Sequence, residues 1–190
     1  MALSITPSQT ALVVIDLQKG IVAMGGAPHD ASDVMNRASS LAQAFRAKNM
    51  PVFLVRVASS PDKKDALTPE TDSPPRSWDM PSDWADLVPE MGQAESDFLI
   101  TKHQWGAFYG TELELQLRRR GIETIVLCGI STSIGVESTA RFAYEYGFNQ
   151  IFVENAMTAG TKEEHDMSVN VIFPRLGKVR SAEEVLAALV

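Results

Sequence analysis

Asp16 and Lys102 are the residues of this 190-residue chain whose types and positions most invite chemistry. Asp16 follows Val13-Val14-Ile15 at the end of one apolar run, and Lys102 follows Phe98-Leu99-Ile100-Thr101 at the end of another. A carboxylate at the end of a buried strand is costly unless it is paired or hydrogen-bonded. Taken singly, Asp16 reads equally as a loop cap, and Lys102 reads as a solvated lysine. Taken together, they are expected to meet as a charge pair at two strand ends, an arrangement that tunes a proton-transfer group.

The stretch from Gly129 to Gly135 supplies the next candidates. It ends an apolar run and opens a helical pattern, and Ser131, Thr132 and Ser133 bring three hydroxyls to the junction. Backbone N–H groups at the start of a helix favour an anion or a developing oxyanion. The plainer reading makes Ser133 an N-cap and Gly135 a small residue in the first turn. Cys128 is the single cysteine. It lies seven residues before Gly135, inside an apolar run, and reads as an inert core thiol.

Strand-length apolar runs position these residues. They are ALVVIDL (11–17), PVFLVRV (51–57), FLIT (98–101), TIVLCGI (124–130), QIFVENA (150–156) and a weaker GKVR (177–180). Most are continuous and rich in Val and Ile, as strands covered on both faces are, which points to a parallel sheet. Amphipathic segments lie between them, over 30–49, 110–120, 133–146, 161–173 and 181–189. Thr161-Lys-Glu-Glu164 and Ser181-Ala-Glu-Glu184 read as capping boxes. The alternation predicts right-handed crossovers, hence a three-layer α/β/α fold on an open, mostly parallel, Rossmann-like sheet. In such sheets ligands bind outside the carboxyl ends of the strands.

One domain over residues 1–190 is expected, with no internal repeat. Six of the ten prolines fall in 58–97, a connection long enough to cover a site, with Trp78 and Trp84 as its expected anchors. The net charge of −7 argues against a nucleic-acid or anionic-membrane binder, since both need a basic face. Arg118-Arg119-Arg120 ends a predicted helix, where cations suit the macrodipole. A single cysteine suits a reducing compartment. The opening MALSITPSQTALVVIDLQ has no basic stretch ahead of a long apolar one. No run approaches the ~20 apolar residues of a membrane helix. A cytoplasmic protein is expected.

Three blocks in order carry a family resemblance: ALVVIDLQ, then TKHQWGAFYGTELE, then GISTSIGVESTARFA, accompanied by LVPE (87–90) and a late His165. The chain resembles the isochorismatase-like hydrolases, also called cysteine hydrolases, over essentially its whole length. The resemblance implies a six-stranded parallel sheet with Asp16, Lys102 and position 135 converging on the pocket as catalytic positions. It also implies a cis peptide at Ile130–Ser131 that helps to form an oxyanion hole. Gln18, Ile130, Ser131, Ser133, Trp105 and Phe108 are then the expected oxyanion and substrate-binding residues. Trp105 and Phe108 read equally well as core or interface residues.

Amidase-type members carry Cys where this chain has Gly135. Ser131 or Ser133 as a replacement nucleophile would have only Asp16 as its base. True isochorismatases have Gly at this place and use Asp as an acid on a vinyl ether, without a covalent intermediate. Their Arg in Lys-x-Arg-Tyr-Ser-Ala-Phe is Gln104 here, which points to a smaller or less charged substrate than isochorismate. The expected function is therefore a hydrolase acting on a small, planar or carboxylate-bearing metabolite by Asp-centred acid/base chemistry. The alternative is a catalytically inactive ligand-binding or assembly protein on the same fold. Nicotinamidases of this fold bind metal through a His-containing cluster after the second strand. The corresponding VRVASSPDKKDA has no histidine, so no catalytic metal and no cofactor are expected. His29, His103 and His165 are scattered, and His165 reads as structural. The resemblance further implies a homodimer or homotetramer, for which Phe142, Tyr144 and Tyr146 offer aromatic surface.

Overall fold

The computed structural model describes residues 3–73 and 80–189. Six strands form its sheet: β1 (Thr10–Ile15), β2 (Val52–Val57), β3 (Phe98–Lys102), β4 (Thr124–Ile130), β5 (Asn149–Thr158) and β6 (Lys178–Arg180). Their order is β3-β2-β1-β4-β5-β6, and every pair is parallel. The chain adds strands outward from β1 in one direction and then outward from β4 in the other. The order therefore reverses between β1 and β4, where crevices open at the carboxyl ends of such sheets.

The helices are α1 (Lys19–Val22), α2 (Ala31–Ala47), α3 (Leu113–Arg119), α4 (Glu137–Glu145), α5 (Lys162–Met167), α6 (Phe173–Leu176) and α7 (Ala182–Ala188). Two cores follow from the alternation of side chains along each strand. Leu12, Val14, Leu54, Val126 and Cys128 face α2 and α7, with Leu41, Phe45 and Val185 at the contact. Val13, Ile15, Val55, Ile125 and Leu127 face the opposite layer, where Leu113, Leu117, Val136, Ala140 and Phe173 pack. Each buried Leu, Phe or Val contributes roughly 1.5–3 kcal/mol. A sheet covered on both faces explains why the strands read as unbroken apolar runs.

Two expected helices differ from their sequence pattern. The segment from Thr161 breaks into α5, a wide turn over Ser168–Ile172, and α6. Pro174 lies in the first turn of α6, and its missing N–H interrupts the i→i−4 ladder there. The helix expected from Ser133 instead opens with a wide turn over Thr132–Val136, closed by Val136 N–H to the Ser131 carbonyl at 3.1 Å. Regular α-helix begins only at Glu137. Of the two capping boxes, the one at Ser181 is complete. At Thr161 the side chain accepts from Glu164 N–H.

Part of the long 58–97 connection is pinned to the chain just after β1. The N–H groups of Lys19, Gly20 and Val88 donate to the carbonyls of Asp86, Trp84 and Leu17. Trp84 packs directly on Gly20, where a Cβ would lie 1.9 Å from the indole ring. Trp84 is therefore an anchor, as expected; Trp78 lies outside the described residues.

Candidate active site

Asp16 is the first residue beyond β1, and its φ of 51° turns the chain out of the strand. Asp is among the few non-glycine residues that enter this left-handed region readily. Its N–H donates to the Val55 carbonyl at 2.9 Å, which fixes the turn against β2. Lys102 ends β3, two strands away. Its Nζ reaches across to Asp16 Oδ2 at 2.7 Å and also donates to the Gln104 carbonyl at 3.0 Å. Asp16 is 5% exposed and Lys102 only 1%, so the pair sits out of water.

Burial dominates the electrostatics. Loss of hydration pushes the Asp16 carboxyl up to about 6, although the Lys102 charge and hydrogen bond pull it down. The two carboxyl oxygens differ. Lys102 occupies Oδ2, whereas buried Oδ1 has no hydrogen-bond partner among the described residues. A carboxyl group held on one oxygen, with the other unpaired and a raised pKa, suits delivery of a proton.

Position 135 meets this carboxylate. A Cβ built on Gly135 would lie 3.1 Å from Asp16 Oδ2 and 2.9 Å from Ile15 Cγ2. Two contacts of the Thr139 hydroxyl hold the turn in place: it donates to the Gly135 carbonyl at 2.7 Å and accepts from Ala107 N–H at 3.1 Å. Thr139, fully buried, thereby ties the stretch after Lys102 to the turn after β4. The close approach of β4 to β1 requires Gly129, whose φ is +118° and where a Cβ would lie 2.0 Å from the Ile15 carbonyl oxygen.

The peptide Ile130–Ser131 is cis, as the resemblance implied. Ser131 Oγ is buried without a hydrogen-bond partner among the described residues, and Ser133 is half-buried in the wide turn. N–H groups at the start of a helical segment have no acceptor within it. Ile134 N–H is satisfied by the Ser131 carbonyl at 3.2 Å.

Other expected site residues have different parts. Gln18 is fully buried, and its amide bonds the backbone of Val57 in both directions and reaches the Trp84 carbonyl. Both ends of its amide are engaged, so it joins β1, β2 and the segment at Trp84. Phe108 is core: it stacks on Phe148 at 5.9 Å and meets Tyr146 at 5.4 Å. Trp105 keeps an exposed side chain, while its backbone carbonyl lies 3.6 Å from a Cβ built on Gly135. Gln104 spends its amide on the carbonyls of Gly106 and Tyr109. His103 donates from Nδ1 to the Ala58 carbonyl at 2.6 Å. Cys128 faces the α2–α7 layer, across the sheet from the layer that holds Ile15 and Val136. Burial pushes its thiol up to about 12, so it is neither placed nor ionised for attack.

His165 is buried, and its Nδ1 lies 2.9 Å from Thr132 Oγ1, on the same turn as Gly135. Its ring meets that of His29 edge-to-face at 5.5 Å. Desolvation holds its pKa down at about 4, so the imidazole is neutral at pH 7. Scattered positions in the sequence gave no sign of this pairing. A cleft of about 470 Å³ opens elsewhere, at the amino ends of β4 and β5, lined by Tyr144, Phe148 and Lys178 among others. It contains neither Asp16 nor Lys102.

Residues 10–184 match the family model described as Isochorismatase domain. The chain is 55% identical over 187 residues to the isochorismatase family protein YecD of Escherichia coli O157:H7, covering 98% of this chain and all of that one. A ureidoacrylate amidohydrolase, RutB, of Acinetobacter baylyi is 29% identical over 212 residues, covering 96% of this chain and 84% of its own. Among solved structures, an isochorismatase family protein from Burkholderia thailandensis superposes with a TM-score of 0.95 at 44% identity. That match covers 100% of this chain and 99% of the other.

Proposed function

The chain belongs to the isochorismatase family of hydrolases, and from that premise we propose that it cleaves a small, planar or carboxylate-bearing metabolite by acid/base chemistry centred on Asp16, without a covalent intermediate. The observation that carries this reading is the pair itself: Lys102 Nζ lies 2.7 Å from Asp16 Oδ2, Oδ1 is unpaired among the described residues, and position 135 beside Oδ2 offers no side chain for attack. For an enol ether, Asp16 Oδ1 delivers its proton to the terminal carbon of the double bond. Water then adds to the oxygen-bearing carbon and returns a proton to the carboxylate. The resulting hemiketal collapses to a carbonyl compound and an alcohol. Lys102 steadies the carboxylate at each stage, and backbone N–H groups around Ser131 and Gly135 receive a substrate oxygen or carboxylate.

Gln104 supports a modest anionic load on the substrate, because its amide is engaged within its own loop. The name of the RutB relative raises amide hydrolysis as a second activity. Against it stand the buried, un-ionised Cys128 and the absence of a side chain at position 135. The near-complete burial of Asp16 and Lys102 favours one further reading, a ligand-binding or assembly protein on this fold.

Pyruvate release from isochorismate, followed for wild type and Asp16→Asn together, tests the proposal. General acid catalysis contributes ~10²–10⁴-fold, so the variant is expected to lose that much while its circular dichroism is unchanged. Turnover retained in Asp16→Asn would sink the assigned role. Absence of turnover in the wild type would remove this enol ether as substrate and favour the binding reading. Gly135→Cys adds a discriminator: new amidase activity would show that the rest of the covalent machinery is still in place. The oligomer expectation has exposed Phe142, Tyr144 and Tyr146 to draw on, and light scattering on the purified chain measures it.

A further inference from the structure

We propose that His29, Glu154 and His165 bind one divalent transition-metal ion of the zinc type, at a site separate from Asp16 and Lys102. Each residue offers one ligand atom, and the three atoms lie within 4.8 Å of one another. His29 Nε2 and Glu154 Oε2 are 3.5 Å apart. Ligand atoms about a tetrahedral zinc, at bonds of about 2.0–2.1 Å, lie ~3.3 Å apart. That edge is therefore already at coordination distance, and the half-buried His29 and Glu154 side chains have room to adjust toward His165.

Three independent features build this site. The first is orientation. Thr132 Oγ1 lies 2.9 Å from His165 Nδ1, so Nε2 is the ring nitrogen left to meet an ion. A metal-bound histidine is usually fixed in this way, with its other N–H donated to an oxygen. The rings of His29 and His165 meet edge-to-face, with centroids 5.5 Å apart and planes at 83°, so the two imidazoles are adjacent without stacking. The second is the chain path. The loop before α2 is clamped to the end of β5 by paired hydrogen bonds between Ala27 and Ala159, at 2.9 and 3.0 Å. This clamp sets His29 beside β5, two residues further on. Glu154 comes from the stretch of β5 where the register against β4 slips between Leu127 and Gly129. Such irregularities re-aim side chains. The third is chemistry. Two imidazole nitrogens and one carboxylate oxygen suit zinc, cobalt or nickel and leave a fourth position for water, whereas magnesium and calcium favour oxygen-only sets. An ion here would tie the loop before α2, β5 and α5 together and, through Thr132, hold the turn that carries Gly135.

The test uses the full, tag-free chain after removal of metal by a chelator. Cobalt(II) is titrated with visible absorption as the readout, and zinc by competition with a chromophoric chelator. Wild type is compared with His29→Gln and Glu154→Gln, whose side chains are only half-buried, with circular dichroism to confirm folding. The expected result is one ion per chain, affinity at least tenfold lower in each variant, a higher Tm with zinc, and no such rise with magnesium. No saturable binding by wild type would overturn the proposal. So would binding that survives either substitution, since the ion would then sit on other groups.

Discussion

The turn from Ser131 to Val136 has a polar cluster on each flank, and the two are built differently. At Gly135 the neighbours are Asp16 and Lys102, an ion pair sealed from water. At Thr132 the neighbour is His165, buried but facing the half-open His29 and Glu154. In the first cluster a charge is held where ionisation is costly, so the proton is the group ready to move. In the second, burial keeps an imidazole neutral, so a lone pair is the group on offer. Desolvation acts on both flanks, but it acts on an acid in one and on a base in the other. The same physical cause therefore favours a held proton on one side and an unprotonated lone pair on the other.

Removing the cation tests the sealed side most severely. Lys102→Met strands a buried carboxylate, and breaking such a pair costs about 3–5 kcal/mol. The raised folded pKa of Asp16 sets the sign. Ionisation opposes folding, with no penalty below the ordinary carboxylate range and a full penalty above the folded value of about 6. Without Lys102 the folded value rises further, so the loss is expected to be larger at pH 8 than at pH 5. Urea unfolding at both pH values measures it. Equal losses would mean that the pair is not the sealed unit described here.

Gly135→Ala probes the contact between the turn and the pair. The added methyl must displace Ile15 Cγ2 or the carboxylate, and crowding of this kind costs about 1–3 kcal/mol. Replacing a helical glycine recovers roughly 0.5–1 kcal/mol. The expected net loss is thus roughly 0–2.5 kcal/mol, read from a thermal melt, and a stabilised variant would show open space at this position. Catalysis gives a third reading. If Asp16 is the acid, kcat/KM falls about tenfold per pH unit above about 6 and is level below it. A rate that rises through pH 6 would instead make Asp16 a base, which is the requirement of amide chemistry. The smallest effect is expected on the other flank. Thr132→Val removes one hydrogen bond to His165, worth about 1 kcal/mol, or a fall of roughly 2–4 °C in Tm. A loss as large as that of Lys102→Met would erase the contrast between the flanks.

The architecture was legible because burial on both faces leaves a periodic trace. All six strands lie where the apolar runs place them, and Asp16 and Lys102 stand at strand ends as read. Boundaries moved where backbone geometry is set by single residues. Pro174 divides the segment after Thr161, and the wide turn over Thr132–Val136 replaces the first turn of the helix expected from Ser133. Roles were less legible than places. Gln18 and Phe108 share blocks with the site residues, yet one is spent on backbone and the other on core.

Sequence alone thus determined the sheet, the family blocks and the two charges that meet at its mouth, since period, composition and strand ends are local properties of a chain. Tertiary structure decided which oxygen of Asp16 is free, and how tightly Gly135 sits against it. It also set Cys128 in the layer across the sheet and brought His29, Glu154 and His165 together. Those facts depend on distances between residues far apart in the chain, which spacing along it does not encode.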